Sequence, residues 1–219
     1  MMTEKMKVLI PYCGVGGTAM GWYRAGFEVV GIDIQDQPDF PFTMVKGNAL
    51  EIIGDIWRDF DVVDAAPPCQ YSTALTKGTN QGKVYPNLIP PTRKLLEGID
   101  RPWIIENVAG AQLRKDYRLC GTMFGLRVFR HRFYETSGIP KLYPYHTKHT
   151  DRVAGYRHGV WYDGNMVAVY GDGGGKGSVE TWREAMGIDW TWCRGCIAEA
   201  IPPRYSEWYA KQVKEFLTR

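Results

Sequence analysis

The stretch Asp61-Val62-Val63-Asp64-Ala65-Ala66-Pro67-Pro68-Cys69-Gln70-Tyr71-Ser72 decides how the rest of the chain is read. Val62, Val63 and Ala65 make an apolar run too brief for a helix and β-branched enough for a buried strand of a parallel sheet. Pro67 and Pro68 cannot donate to a ladder, so they end the strand and stiffen the turn after it. Cys69 then stands just past the carboxyl end of a central strand, where open α/β sheets bind ligands. A thiol there is placed like a nucleophile, or it packs as a small hydrophobe. Position alone does not separate the two.

Upstream, residues 7–12 read as a first strand. The loop Cys13-Gly14-Val15-Gly16-Gly17 follows, and Thr18 is expected to cap a helix running to about Ala25. A second strand over 27–32 ends in Asp33, about 20 residues past the glycine loop, the place where an acid holds a ribose diol. No Gly-x-x-x-x-Gly-Lys-Ser/Thr run is present, so a triphosphate is not expected. Glycine loop and acid together fit a dinucleotide or S-adenosylmethionine. A third strand over 43–46 leads to a helix over about 50–58, where Asn48 either reads an adenine edge or caps the helix.

Downstream, 73–84 is a polar loop without periodicity that can close over a substrate. A helix over about 92–98 precedes the apolar run 102–105, which ends in Glu106-Asn107-Val108. A carboxylate directly after three apolar strand residues is rarely plain solvated surface. The alternation up to here predicts an α/β fold with a doubly wound, mostly parallel sheet. Beyond it, 127–134 alternates basic and apolar residues like a strand with one charged face. A hairpin over 161–170 is expected to turn at Asp163-Gly164. Gly171 to Ser178 is a glycine-rich loop carrying Lys176, able to lie along a phosphate backbone or merely to link. Helices follow over 179–186 and from Pro202-Pro203 to about Leu217. No internal repeat or second core-sized domain is evident.

At 219 residues and net charge +3, the chain can bury one large core and has only a mild preference for polyanions. The distribution says more. Between Arg127 and Gly159 lie seven Lys/Arg, two acids, all four histidines and six aromatics, an interleaving that suits a phosphate backbone and unstacked bases. Five scattered cysteines do not make a disulfide framework, so reduced thiols in a cytosol-like compartment are expected. Cys193-Arg194-Gly195-Cys196 has zinc spacing, with His146 and His149 able to complete four ligands. One such pair is a weak signal, and no metal is expected. No signal peptide or membrane-spanning run is read.

Pro67-Pro68-Cys69-Gln70 after one strand and Glu106-Asn107-Val108 after another form a specific combination. With Tyr12-Cys13-Gly14-Val15-Gly16-Gly17 before them, Arg130-His131-Arg132 after them and Glu199-Ala200-Ile201-Pro202-Pro203 near the end, the order resembles DNA (cytosine-5) methyltransferases. The resemblance covers nearly the whole chain, and its later part looks most like the small bacteriophage members.

It implies a Rossmann-like S-adenosylmethionine-dependent methyltransferase fold over 1–137, a reduced target-recognition segment over 138–196 and a returning helix over 197–219. By resemblance Cys69, Glu106, Arg130 and Arg132 are catalytic. Tyr12, Cys13, Gly14, Val15, Gly16, Gly17, Asp33, Ile34, Asn48, Ala49, Pro68, Leu88 and Glu199 would surround S-adenosylmethionine. Gln70, Ser72, Asn107 and Lys176 would meet the substrate. The implied partner is double-stranded DNA, bound by a cytoplasmic monomer that shields phage DNA from host nucleases. Where the family usually has a ribose Glu and an adenine acid, this chain has Asp33 and Asn48. Only about 60 residues separate Arg132 from the last motif, so a short or relaxed target sequence, read mainly by 138–178, is expected. The same chemistry on RNA or a free cytosine nucleotide, or a catalytically idle DNA binder, are the other readings.

Overall fold

Val8 and Ile10 turn to one face of a sheet and Leu9 to the other, and all three are buried. A strand buried on both faces belongs inside a parallel sheet with helices on each side. The computed structural model, which describes residues 5–72, 84–171 and 177–219, has that architecture. Strands β1 (Lys7–Pro11), β2 (Glu28–Asp33), β3 (Thr43–Lys46), β4 (Val62–Ala65), β5 (Trp103–Asn107), β6 (Tyr117–Leu119) and β7 (Arg132–Ser137) form one sheet in the order β3-β2-β1-β4-β5-β7-β6. All pairings are parallel except those of β7 with β5 and β6. The strand order reverses between β1 and β4, and the carboxyl edge there is where such sheets hold ligands.

Helix α1 (Gly17–Arg24) and the long α6 (Pro203–Leu217) cover the face of Val8, Ile10, Val62 and Ile104. They approach so closely that a Cβ on Gly21 would run into Ser206 Oγ and the Pro203 carbonyl. Helices α2 (Ala49–Ile56) and α3 (Ile89–Glu97) cover the face of Leu9, Val63, Ala65 and Ile105. A third cluster, with Val15, Val128, Trp182, Met186 and Ile197, sits over the glycine loop. It is built from α4 (Val179–Met186) and α5 (Arg194–Glu199). Ser178 Oγ caps α4 by accepting from the Thr181 amide at 3.1 Å, and Gly187 ends it in the left-handed conformation. Among the described residues no helix is long and apolar enough to cross a membrane.

Several expectations are corrected. The hairpin lies earlier than expected, with β8 (Gly155–Arg157) and β9 (Val160–Tyr162) turning at His158-Gly159, where both residues have positive φ. Asp163 instead accepts from the Trp161 indole at 2.7 Å. The basic-apolar stretch enters the sheet only at Arg132, because Arg130 takes a positive φ and breaks the run. Thr18 does not cap α1. The helix starts from Gly16 at φ 90° with no side-chain cap. Cys193 and Cys196 are bonded as a disulfide, since the first turn of α5 brings their Cα atoms to 5.2 Å. Of the reduced thiols expected, Cys13, Cys69 and Cys120 are free.

Candidate active site

The turn after β4 carries Cys69, which is half-buried. Its carbonyl accepts from the Ser72 amide at 2.9 Å, closing a tight turn. Neighbouring β5 ends in Glu106 and Asn107, both buried. Asn107 donates Nδ2 to the Pro67 carbonyl at 2.8 Å and accepts from the Val108 amide at 2.9 Å. Its amide is therefore engaged in holding the Cys69 turn. Gln70 Oε1 is buried and has no partner among the described residues.

Across the edge, β7 begins at Arg132, whose Nε stands 2.9 Å from Glu106 Oε1. The pair is close, but no N–H is aimed along a hydrogen-bonding direction at that oxygen. Burial pushes the Glu106 carboxyl up to about 7, against Arg132 and Arg130, which pull it down, and with Asp64, which adds to the rise. Burial likewise raises the Cys69 thiol. Arg132 and Arg130 oppose the rise, while Glu106 and Glu199 add to it. The thiol, a carboxyl that can hold a proton near neutral pH, and a guanidinium thus form one electrostatic unit. Arg130 stands behind them: its two terminal nitrogens donate to the Val169 and Ala198 carbonyls at 2.9 and 2.6 Å, and its own carbonyl accepts from Tyr205 Oη at 2.9 Å.

The glycine loop occupies the same edge beyond β1. Tyr12 adopts φ 59°, a strained conformation for a bulky residue, and its hydroxyl meets Thr92 Oγ1 at 2.8 Å. Cys13 points inward: a Cβ on Gly31 would strike its sulfur, so only its backbone can face the edge. Gly14 has open space where a Cβ would stand, while a Cβ on Gly17 would collide with the backbone of Ile201. Val15 gives its carbonyl to the Trp190 indole at 2.8 Å. Asp33, ending β2, accepts from the Gly14 amide at 2.9 Å and the Gln35 amide at 3.0 Å. Ile34 beside it is 70% exposed, an apolar side chain left uncovered at the ligand edge. Asn48 caps α2, accepting from the Leu50 amide and donating to Glu51. Ala49 is buried under it, Pro68 is exposed, and Leu88 precedes α3 half-buried. The Gly14 amide, the Asp33 carboxylate and exposed Ile34 stand together and are of the chemistry that an adenosyl group with its ribose diol takes, although both Asp33 oxygens already accept backbone amides and Asn48 has its amide committed to the cap. Lys176 and 73–83 of the expected substrate loop lie outside the described residues.

Sequence reading did not find Asp64, Thr92 or Trp190. Asp64 is wholly buried in β4 and accepts from the Trp22 indole at 2.6 Å and from Tyr209 Oη at 2.5 Å. A charge inside an all-apolar strand was the available signal.

No protein-family profile and no curated protein matches the sequence. Solved structures do. A methyltransferase of Entamoeba histolytica superposes with a TM-score of 0.63 at 11% identity, over 99% of this chain and 100% of that one. The Dnmt2 methyltransferase of S. pombe gives a TM-score of 0.63 at 13% identity, over 97% and 99%. The chain has the Rossmann-like methyltransferase fold. A candidate DNA modification methyltransferase encoded within an E. coli prophage gives a TM-score of 0.44 at 19% identity, over 59% of this chain and 45% of that one. The chain thus spans less than half the length of that protein.

Proposed function

We propose that this chain methylates carbon 5 of cytosine in double-stranded DNA, with S-adenosylmethionine as donor. The observation that carries this reading is the meeting of the Cys69 turn with the buried Glu106–Arg132 pair on the adjacent strand end. Carbon 5 of cytosine is a poor nucleophile. Addition of the Cys69 thiolate at carbon 6 turns the ring into an enamine and raises electron density at carbon 5. Glu106, holding its proton near neutral pH, donates to N3 and keeps negative charge off the ring. Arg132 orients Glu106 and donates to the base O2. Arg130 braces the chain between them. The carbon 5 proton then passes to solvent, its bonding pair expels Cys69 as thiolate, and N3 returns its proton to Glu106, which restores the aromatic ring.

Bound S-adenosylmethionine supplies an electrophilic methyl group. Gly14 and the loop backbone would hold its methionyl part, Asp33 its ribose and Ile34 one face of its adenine. The base must leave the stack to reach Cys69, at a cost of a few kcal/mol. Target reading falls to 138–178, where Tyr143, Tyr145, Tyr156 and Trp161 are exposed beside Lys141, Lys148 and Arg152. Residues 1–137 would then be catalytic and 197–219 a return to that unit.

Duplex DNA containing 5-fluorocytosine tests the proposal. With S-adenosylmethionine a covalent, denaturant-resistant complex is expected, because fluorine cannot leave carbon 5, and Cys69→Ser should abolish it. Trapping of fluorinated RNA or nucleotide in preference to duplex DNA would move the same chemistry to those substrates. DNA binding without any trapping would mean an idle binder.

A further inference from the structure

Three of the four histidines gather at one spot with a second thiol, buried Cys120. Cys120 follows β6, His131 precedes β7, and His146 and His149 come from the extended stretch 138–154, which holds no helix or strand. Cys120 Sγ lies 3.2 Å from His149 Nε2, and His146 Nε2 lies 3.1 Å from both His131 Nε2 and His149 Nε2. All four ligand atoms fall within 4.8 Å of one another.

Hydrogen bonding alone serves this group poorly. A neutral imidazole carries one N–H and one lone pair. His146 Nε2 faces two other Nε2 atoms, so as acceptor its one lone pair would serve two donors, and as donor its one hydrogen would be split between two acceptors. A cation takes every lone pair at once. In a tetrahedron with Zn–N of about 2.0–2.1 Å and Zn–S of about 2.3 Å, ligand atoms stand about 3.3–3.6 Å apart. The observed contacts are a few tenths of an ångström shorter than that. Closing the widest pair onto a metal takes about 1 Å of side-chain movement.

We propose that Cys120, His131, His146 and His149 bind one zinc ion. Thiolate with imidazoles favours zinc over calcium or magnesium, and four protein ligands make a closed, structural site. Thr122 Oγ1, 3.2 Å from Cys120 Sγ, is placed to steady the thiolate, and Phe129 stacks on His149 at 4.0 Å to fix its ring plane. The His146/His149 pair thus finds its thiol in Cys120, not in Cys193-x-x-Cys196, whose sulfurs are bonded to each other. The ion staples 138–154, with exposed Tyr143 and Tyr145, to the β6–β7 ribbon. It also holds His131 between Arg130 and Arg132, and so the strand end from which Arg132 reaches Glu106.

The full-length chain, purified without chelator and with thiols reduced, should carry one zinc per molecule by mass spectrometry of its metal content. X-ray absorption at the zinc edge should find one sulfur and three imidazole nitrogens. Cobalt(II) in place of zinc should give tetrahedral d–d bands and a thiolate charge-transfer band. Cys120→Ala should remove the latter, and His146→Ala should weaken binding at least about 100-fold. Chelation should speed proteolysis within 138–154 at least about tenfold. A folded chain that retains no zinc and takes up no tetrahedral cobalt overturns the proposal. So does a site with two sulfurs that is lost in the Cys193→Ala/Cys196→Ala double variant. None of these readouts involves methyl transfer, so they stand or fall apart from the proposed reaction.

Discussion

Asn107 on β5 donates its Nδ2 to the Pro67 carbonyl over 2.8 Å, so one strand holds the turn that carries the neighbouring strand's thiol. Asn107→Asp keeps the shape but loses the donor and sets a carboxylate against a carbonyl. We expect kcat for methyl transfer to fall by about 10- to 100-fold from misplacement of Cys69, with the KM for DNA unchanged. Stability should drop by about 1–3 kcal/mol. A rise in KM at constant kcat would instead return Asn107 to the substrate.

The Cys69 thiol is pushed up by burial, down by Arg132 and Arg130 and up by Glu106. Only the thiolate is alkylated. At pH 8, Arg132→Gln should therefore slow iodoacetamide labelling of Cys69, and Glu106→Gln should speed it, each by several-fold. Peptide mapping separates Cys69 from buried Cys13 and Cys120. The opposite order would refute the charge arrangement.

With its carboxyl at about 7, Glu106 begins to lose its proton near neutral pH. If the protonated form serves N3, single-turnover methyl transfer should decline above about pH 7. In Glu106→Gln this alkaline limb should disappear while the rate falls by about 100-fold or more. Persistence of the limb in the variant would assign it to another group.

Buried Asp64 has its carboxyl raised to about 6 by desolvation, which outweighs its bonds from Tyr209 and Trp22. Between the unfolded value near 4 and about 6, the folded chain binds the proton and the unfolded chain does not, so stability falls as pH rises. Asp64→Asn should flatten that part of the curve, removing a slope of roughly 1 kcal/mol per pH unit. Urea unfolding from pH 4 to 7 measures it. Equal slopes would mean that the Asp64 value is unshifted.

Gly21→Ala and Gly54→Ala should act in opposite directions. A Cβ at Gly21 strikes α6 through Ser206 and Pro203, and the chain should lose about 1–3 kcal/mol. Gly54 in α2 has nothing within 4 Å of that position, so alanine should add up to about 1 kcal/mol through helix propensity. Thermal melts of both variants check this.

The parallel half was legible because Val62, Val63 and Ala65, like Val8 to Ile10, are apolar on both faces, and prolines and glycines mark the ends. The positions of Asp33 and Glu106 at strand ends, and of Cys69 just past one, were legible for the same reason. Local pattern failed where distant contacts decide. Arg130 turns out of its strand to meet Val169 and Ala198. The three residues of β6 are too few to show alternation. The bond from Asn107 to the Pro67 carbonyl was not legible, because that partner lies in the turn after another strand. The ring of His131, His146 and His149 around Cys120 spans three segments that no spacing rule connects.

The glycine loop leans on residues made much later. Ile201 walls Gly17, and Ser206 donates to the Thr18 carbonyl across a separation of 188 residues. A ribosome therefore releases the loop long before its support exists. Until α6 has been made, Gly17 and Thr18 lack both contacts, and any premature stop before it leaves the loop without them.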